Sequence, residues 1–189
     1  MMELVTRAVI FAVRAHDGMR RKKSDIPYIL HPMEAAVIVG SITSDQEVIA
    51  AAALHDVVED AGITLDEVEQ DFGKRVRELV ASETEDKRES LPPDATWKVR
   101  KEESLRVLKN ASDPAVLTVW LGDKLANMRA IYRDHCVEGD GMWQRFNQNS
   151  PAEQGWYYTS IAELTRPLSH THAWKEYREL TEKVFGKGN

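Results

Sequence analysis

Apolar residues recur at helical spacing along almost the whole chain, and this periodicity limits the fold more than any other feature of the sequence. In the first segment they fall three or four positions apart, at Leu4, Val5, Ala8, Val9, Ala12 and Val13. That spacing gathers the apolar side chains on one face of an α-helix. No segment shows the alternation of apolar and polar residues that indicates a strand. The pattern predicts an all-α fold, a compact bundle of about eight to ten helices.

Residues that typically begin helices divide the chain into separate helical segments. Residues that cap helix N-termini stand directly before four apolar-periodic segments, and two of them have Glu three positions later, which is the capping-box pattern. The predicted caps are Asp45, Thr64, Asp113 and Ser150. The helix after Asp113 is predicted to reach about residue 133, and the helix after Ser150 to run toward residue 169. Segments 19–26, 83–94 and 138–149 are rich in charged residues, proline or glycine and are predicted to be loops.

Length and charge exclude several classes of protein. A chain of 189 residues fits one domain, predicted to span 1–189. The net charge of −6 argues against a general binder of nucleic acid or of anionic membranes. The single cysteine excludes an internal disulfide. The apolar stretch at 8–13 is too short to span a bilayer, so we expect a cytoplasmic protein.

Four residues break the apolar pattern in a way that suggests chemistry. Asp123 lies on the predicted inward stripe of the long helix, His55 and Asp56 follow an uninterrupted apolar run, and His31 opens the second helix. A buried carboxylate needs a cation or a proton, because burial without one is very costly. Two imidazoles and two carboxylates suit a divalent metal such as Mn²⁺, Fe²⁺ or Zn²⁺.

Another interpretation of these residues stays open on periodicity alone. A histidine on an apolar face is commonly a hydrogen-bonded core residue, and a buried Asp123 could pair with Lys124 or Arg129. Likewise, the basic run at 20–23 is either a solvated loop or a phosphate clamp. The adjacent acids Glu59 and Asp60 are either a solvated helix end or functional groups. Acids at a helix C-terminus oppose the helix dipole, which favours the functional interpretation.

Three segments, in this order, resemble the RelA/SpoT-type HD-domain hydrolases. RKKSDIPYILHP at 21–32 resembles that family's basic loop and its P-Y-I-x-H-P element. AAALHDVVED at 51–60 resembles the HD-x-x-ED signature, and LGDKLANMR at 121–129 resembles L-A-D-K/R-L-x-N-x-R. The chain is most similar to the small, hydrolase-only members. Gly122 stands where that family usually has alanine, a difference that lowers helix propensity.

The resemblance implies an HD-domain fold and a role for each matching residue. The implied metal ligands, most consistent with Mn²⁺, are His31, His55, Asp56 and Asp123. The carboxylates implied to orient or deprotonate the attacking water are Glu59 and Asp60. The implied substrate contacts are Arg21, Lys22, Ser24, Tyr28, Lys87 and Asn127.

The resemblance also implies a reaction, the removal of the 3′-pyrophosphate from the guanosine alarmone (p)ppGpp. The expected partner is therefore a phosphorylated guanine nucleotide. Two alternatives remain: hydrolysis of another phosphorylated nucleotide, such as a nucleoside monophosphate or NADPH, and a metal-binding or alarmone-binding module without turnover.

Overall fold

The computed structural model describes residues 2–21, 24–88 and 90–186. Within these ranges the regular structure is helical, and the only β-type pairing is an isolated bridge between Arg20 and Pro27. Ten α-helices are present there: α1 Leu4–Ala15, α2 Leu30–Ile42, α3 Gln46–Leu54, α4 Val57–Asp60, α5 Leu65–Phe72, α6 Lys74–Glu83, α7 Pro93–Lys109, α8 Pro114–Glu138, α9 Pro151–Leu164 and α10 His172–Phe185. The predicted all-α class is confirmed. None of the described helices is both long and apolar enough to cross a bilayer.

The predicted caps begin the helices at the expected residues. The Asp45 side chain accepts a hydrogen bond from the backbone N–H of Glu47 and opens α3. Thr64 and Glu67 form a complete capping box at the start of α5. Asp113 and Ser150 likewise accept from backbone N–H groups at the starts of α8 and α9. Local hydrogen bonding therefore fixes these boundaries before any tertiary contact is considered.

Other predicted boundaries were less accurate. The predicted loop at 138–149 contains a 3₁₀ helix, Gly139–Arg145, and α8 extends to Glu138. The cause is tertiary: Trp143 is buried and stacks on Phe185 of α10, with ring centroids 5.4 Å apart. The helix predicted to run toward residue 169 ends at Leu164 and is followed by a short 3₁₀ helix, Arg166–Leu168.

Close packing of α2, α3 and α8 brings the chemical residues together. Ala50, Ala51, Ala52 and Ala53 of α3 are fully buried, so this helix presents little side-chain bulk to its neighbours. On α8, Gly122 faces α2. A Cβ atom added to Gly122 would lie 2.5 Å from Val39 Cγ2 and 3.1 Å from the Ala35 carbonyl oxygen. Gly122 therefore permits a close approach of the two helices.

We predict that Gly122→Ala lowers the free energy of unfolding, although alanine favours a helix. Overpacking costs about 1–3 kcal/mol, which outweighs the gain of about 0.5–1 kcal/mol in helix propensity. Gly40→Ala is the matched control, because its added Cβ would meet only Ile49 Cδ1, at 3.9 Å. Urea unfolding should show that Gly40→Ala is neutral or stabilising and that Gly122→Ala is destabilising. Equal effects would contradict this account of the helix contact.

Candidate metal centre

Four side chains from different helix ends and faces converge between α2, α3 and α8. His31 is the second residue of α2, His55 follows the last residue of α3, Asp56 precedes α4, and Asp123 lies in the first half of α8. His31, His55 and Asp123 are buried, with 6%, 1% and 4% of their surface exposed. The Asp56 side chain keeps 17% of its surface exposed. The cluster therefore lies in the protein interior with one side open toward solvent.

The polar atoms of this cluster all face one another. His31 Nε2 lies 3.0 Å from Asp123 Oδ1 and 3.4 Å from Asp56 Oδ2. His55 Nε2 lies 3.0 Å from Asp56 Oδ2 and 3.5 Å from Asp123 Oδ1. The two imidazole Nε2 atoms are 3.2 Å apart. His31, His55 and Asp123 each offer a ligand atom within 4.8 Å of the other two, a spacing that can hold a metal ion.

Hydrogen bonding fixes the orientation of His55. Its Nδ1 lies 2.8 Å from the carbonyl oxygen of Ala52 and must donate to it, since a carbonyl oxygen only accepts. In the neutral ring, Nε2 then carries the lone pair and points it at the cluster. Burial lowers the pKa of His55, but the Asp56 and Asp123 carboxylates outweigh burial and hold this pKa well above its usual value. The centre therefore favours positive charge.

Burial and neighbouring charges also have opposite effects on the pKa values of the two carboxylates, Asp56 and Asp123. Burial raises the pKa of Asp56, whereas His55 and His31 lower it, and the net position is well below the usual value. Burial also raises the pKa of Asp123, and Lys124 and His55 lower it to well below its usual value. Both carboxylates are therefore ionised, as metal ligands must be.

The acids of α4 border this cluster. Tyr28 Oη lies 2.7 Å from Asp56 Oδ2 and 2.6 Å from Asp60 Oδ2. Lys87 Nζ donates to Asp60 Oδ1 at 2.5 Å and to the backbone oxygen of Glu59 at 2.8 Å. Asp60 is thus an ion-paired carboxylate, fixed through both of its oxygens.

Glu59 has a different environment from Asp60. Its Oε2 accepts a long hydrogen bond, 3.3 Å, from the backbone N–H of Glu85. Lys87 Nζ is 3.7 Å from Glu59 Oε1, farther than from Asp60. Burial, together with the Asp56 and Glu85 carboxylates, raises the pKa of Glu59 to about 7. A carboxyl group with this pKa can accept and release a proton near neutral pH.

Most of the predicted substrate contacts lie beside the cluster. Arg21 Nη2 donates to Asn127 Oδ1 at 3.0 Å, and Asn127 Nδ2 donates to Asp123 Oδ1 at 2.7 Å. Arg21 Cζ is also 5.6 Å from the centre of the Tyr28 ring. Ser24 is engaged within its own loop, where its hydroxyl donates to the Arg21 carbonyl oxygen. Lys22 lies outside the described residues.

Glu83 is a buried charged residue that the sequence pattern placed in a loop. The structure extends α6 to Glu83 and buries the side chain, which pairs with Lys124 Nζ at 3.3 Å. Lys124 also contacts Asp123 Oδ2, so it neutralises the oxygen that faces away from the cluster. The helical spacing of Val76, Leu79 and Glu83 was a signal that could have placed Glu83 on the buried face. The alternative pairing of Asp123 with Arg129 is wrong, since Arg129 binds Glu34 and Glu176.

Comparison with known proteins identifies the fold family. A family model described as HD domain matches residues 8–141, a span that includes all four cluster residues. The chain belongs to the HD-domain family. Among solved structures, lmo0812 from Listeria monocytogenes EGD-e is 28% identical with a TM-score of 0.71, covering 83% of this chain and 99% of that one. A metazoan ortholog of SpoT, which hydrolyses ppGpp, is 24% identical with a TM-score of 0.75, and the match covers 97% of this chain and 96% of that one.

Curated relatives of this HD domain are much longer proteins. The guanosine-3′,5′-bis(diphosphate) 3′-pyrophosphohydrolase of Aquifex aeolicus is 34% identical over 130 residues, which is 69% of this chain and 18% of the relative. The GTP pyrophosphokinase rsh of Brucella ovis is 36% identical over 130 residues, which is 68% and 17% of the two chains. The present chain therefore spans less than a fifth of these relatives. The family resemblance noted in the sequence is confirmed.

We predict that Lys124→Met lowers the free energy of unfolding of this HD domain by about 3–5 kcal/mol, because it leaves the buried Asp123 carboxylate without its cation. Lys74→Met is the matched control: Lys74 pairs with Glu78 at the surface, where their side chains are 77% and 52% exposed. The control should cost less than about 1 kcal/mol. Chemical denaturation in the presence of a chelator measures the free energy of unfolding of both variants. Similar losses in the two variants would contradict the buried role of Lys124.

Proposed function

We propose that this protein is a divalent-metal-dependent phosphohydrolase that removes the 3′-pyrophosphate from (p)ppGpp. The observation that carries the proposal is the cluster of two imidazoles and two carboxylates with the acids Glu59 and Asp60 beside it. The names of the matched relatives, which include a guanosine-3′,5′-bis(diphosphate) 3′-pyrophosphohydrolase, support the choice of substrate. The proposed partner is thus a phosphorylated guanine nucleotide, and the proposed location is the cytoplasm.

The donor set fits a divalent cation. His31 Nε2, His55 Nε2, Asp56 Oδ2 and Asp123 Oδ1 would hold it, and their nitrogen and oxygen donors suit Mn²⁺, with Fe²⁺ and Zn²⁺ as alternatives. The close spacing of the donors supports this fit, since His31, His55 and Asp123 each offer a ligand atom within 4.8 Å of the other two. When bound, such an ion polarises a phosphoryl oxygen and lowers the pKa of water.

The two α4 acids suit different tasks. Glu59, whose pKa is raised to about 7, is the better proton acceptor near neutral pH, and we assign it the proton of the attacking water. Asp60 is ion-paired with Lys87 and bonded to Tyr28, so it is better suited to orienting that water. Both remain within one helical turn of Asp56.

Cationic and amide groups on the other side of the cluster suit a polyphosphate. Arg21 lies beside Asn127, which itself bonds to Asp123. A guanidinium can bind two phosphate oxygens at once, and a lysine can add a point charge. We assign Arg21 and Asn127 on this side, and Lys87 beside the α4 acids, to the substrate phosphates and ribose. From the family resemblance we assign Lys22, Ser24 and Tyr28 to nucleotide contacts as well.

Purified protein with Mn²⁺ is expected to release pyrophosphate from ppGpp, and a chelator should stop the reaction until Mn²⁺ is restored. His55→Ala combined with Asp56→Ala should abolish turnover, because it removes two of the four proposed ligands. His170→Ala is the control, since His170 is an exposed residue in a turn remote in sequence from the cluster. Chromatographic separation of the products after incubation measures turnover by the wild type, the double variant and the control.

Other outcomes would distinguish the alternatives. Turnover of a nucleoside monophosphate or NADPH, with none of ppGpp, would contradict the substrate assignment and keep the hydrolase assignment. Calorimetric binding of ppGpp to the Mn²⁺-loaded protein without any product would instead indicate an alarmone-binding module.

A further inference from the structure

Tyr28 is held by ring contacts on several sides. Its ring centroid is 5.0 Å from that of the buried His16 and 6.0 Å from that of His31. The Arg21 guanidinium lies 5.6 Å from the ring centre, within the range of a cation–π contact. The ring therefore has a fixed position between Arg21 and the start of α2.

The Tyr28 hydroxyl reaches across to α4 and contacts two acids at once. It lies 2.7 Å from Asp56 Oδ2 and 2.6 Å from Asp60 Oδ2. Asp56 Oδ2 is the same oxygen that faces His31 and His55. A phenol is protonated near neutral pH and carries a single donor hydrogen, which the geometry places between the two acceptor oxygens.

Two neighbouring carboxylates repel each other unless a donor or a cation lies between them. Lys87 binds Asp60 through Oδ1, on the side away from Tyr28. The described contacts give the Asp56 and Asp60 pair one shared group, the Tyr28 hydroxyl. Removing it would leave Asp60 held by Lys87 and Asp56 facing His31 and His55, but it would break the link between the two acids at the Asp56 oxygen proposed to bind metal.

We propose that the Tyr28 hydroxyl is a positioning group that holds the proposed ligand oxygen of Asp56 and the carboxylate of Asp60 in a fixed relation, while the Tyr28 ring supports Arg21. The expected effect of this hydroxyl on the kinetics with ppGpp rests on the proposed function. Its consequence for metal affinity does not depend on the substrate. The two parts of the Tyr28 side chain thus have different roles: the hydroxyl acts on the carboxylates, and the ring acts on the phosphate side.

Tyr28→Phe tests the hydroxyl alone. Groups that orient metal ligands typically change metal affinity or activity by about 10–100-fold when they are removed. We expect calorimetric titration of the metal-free variant with Mn²⁺ to show affinity about tenfold weaker than in the wild type. With ppGpp, kcat should fall at least about tenfold, and KM should stay close to the wild-type value.

Two further variants separate the hydroxyl from the ring. Tyr28→Leu removes both, so it should additionally raise KM as Arg21 loses its support. Tyr132→Phe is the matched control, since Tyr132 lies near the C-terminal end of α8 beside Lys183, and it should behave as the wild type in every assay. A double-mutant cycle completes the test: in an Asp60→Asn background, Tyr28→Phe should lower kcat much less than it does alone, because the two groups act together.

Several results would overturn the inference. Wild-type Mn²⁺ affinity together with wild-type kcat in Tyr28→Phe would do so, as would a higher KM with kcat intact, which would place the hydroxyl on the substrate. A Tyr28→Phe protein that fails to fold, judged by circular dichroism, would assign the hydroxyl to stability. If the wild type binds Mn²⁺ but does not hydrolyse ppGpp, the proposed function fails, and the Mn²⁺ titrations alone decide the role of Tyr28.

Discussion

Two carboxylates and two imidazoles meet where solvent is largely excluded, and the need to balance their charge governs the surrounding structure. Asp56 and Asp123 are ionised because positive or hydrogen-bonding groups surround them. Lys124 occupies the outer oxygen of Asp123, Tyr28 contacts Asp56, and Asn127 donates to Asp123. An unpaired buried carboxylate is far too costly to persist, so each acid of the cluster requires such partners. This requirement accounts for the choice of groups around it.

The packing of α2, α3 and α8 brings these groups together. Small residues let α2, α3 and α8 approach closely, since the alanines of α3 are fully buried and a Cβ on Gly122 would overlap Val39. The sequence reasoning treated Gly122 only as a loss of helix propensity, whereas its main effect is steric. The net charge of −6 also gains a local explanation. Several acids surround one proposed cation site, so the overall charge is a poor guide to what binds there.

Local patterns predicted the helices well, and tertiary contacts explain where they did not. Caps at Asp45 and Thr64 depend on neighbours two or three residues away, so the sequence is sufficient. The 3₁₀ helix Gly139–Arg145 depends on Trp143 meeting Phe185, a contact that no local pattern contains. Periodicity singled out the four proposed ligands but left both a metal site and hydrogen-bonded core residues as interpretations, and the family resemblance favoured the metal site. The Tyr28 hydroxyl bonds could not be predicted, because they join separate segments through side-chain geometry.

The central claim is that His31, His55, Asp56 and Asp123 together form a metal centre. Anomalous scattering from crystals grown with Mn²⁺ tests it most directly, because it locates the ion without reference to activity. The account predicts one strong anomalous peak within about 2.3 Å of His31 Nε2, His55 Nε2, Asp56 Oδ2 and Asp123 Oδ1. A peak elsewhere in the molecule, with none among these four atoms, would contradict it.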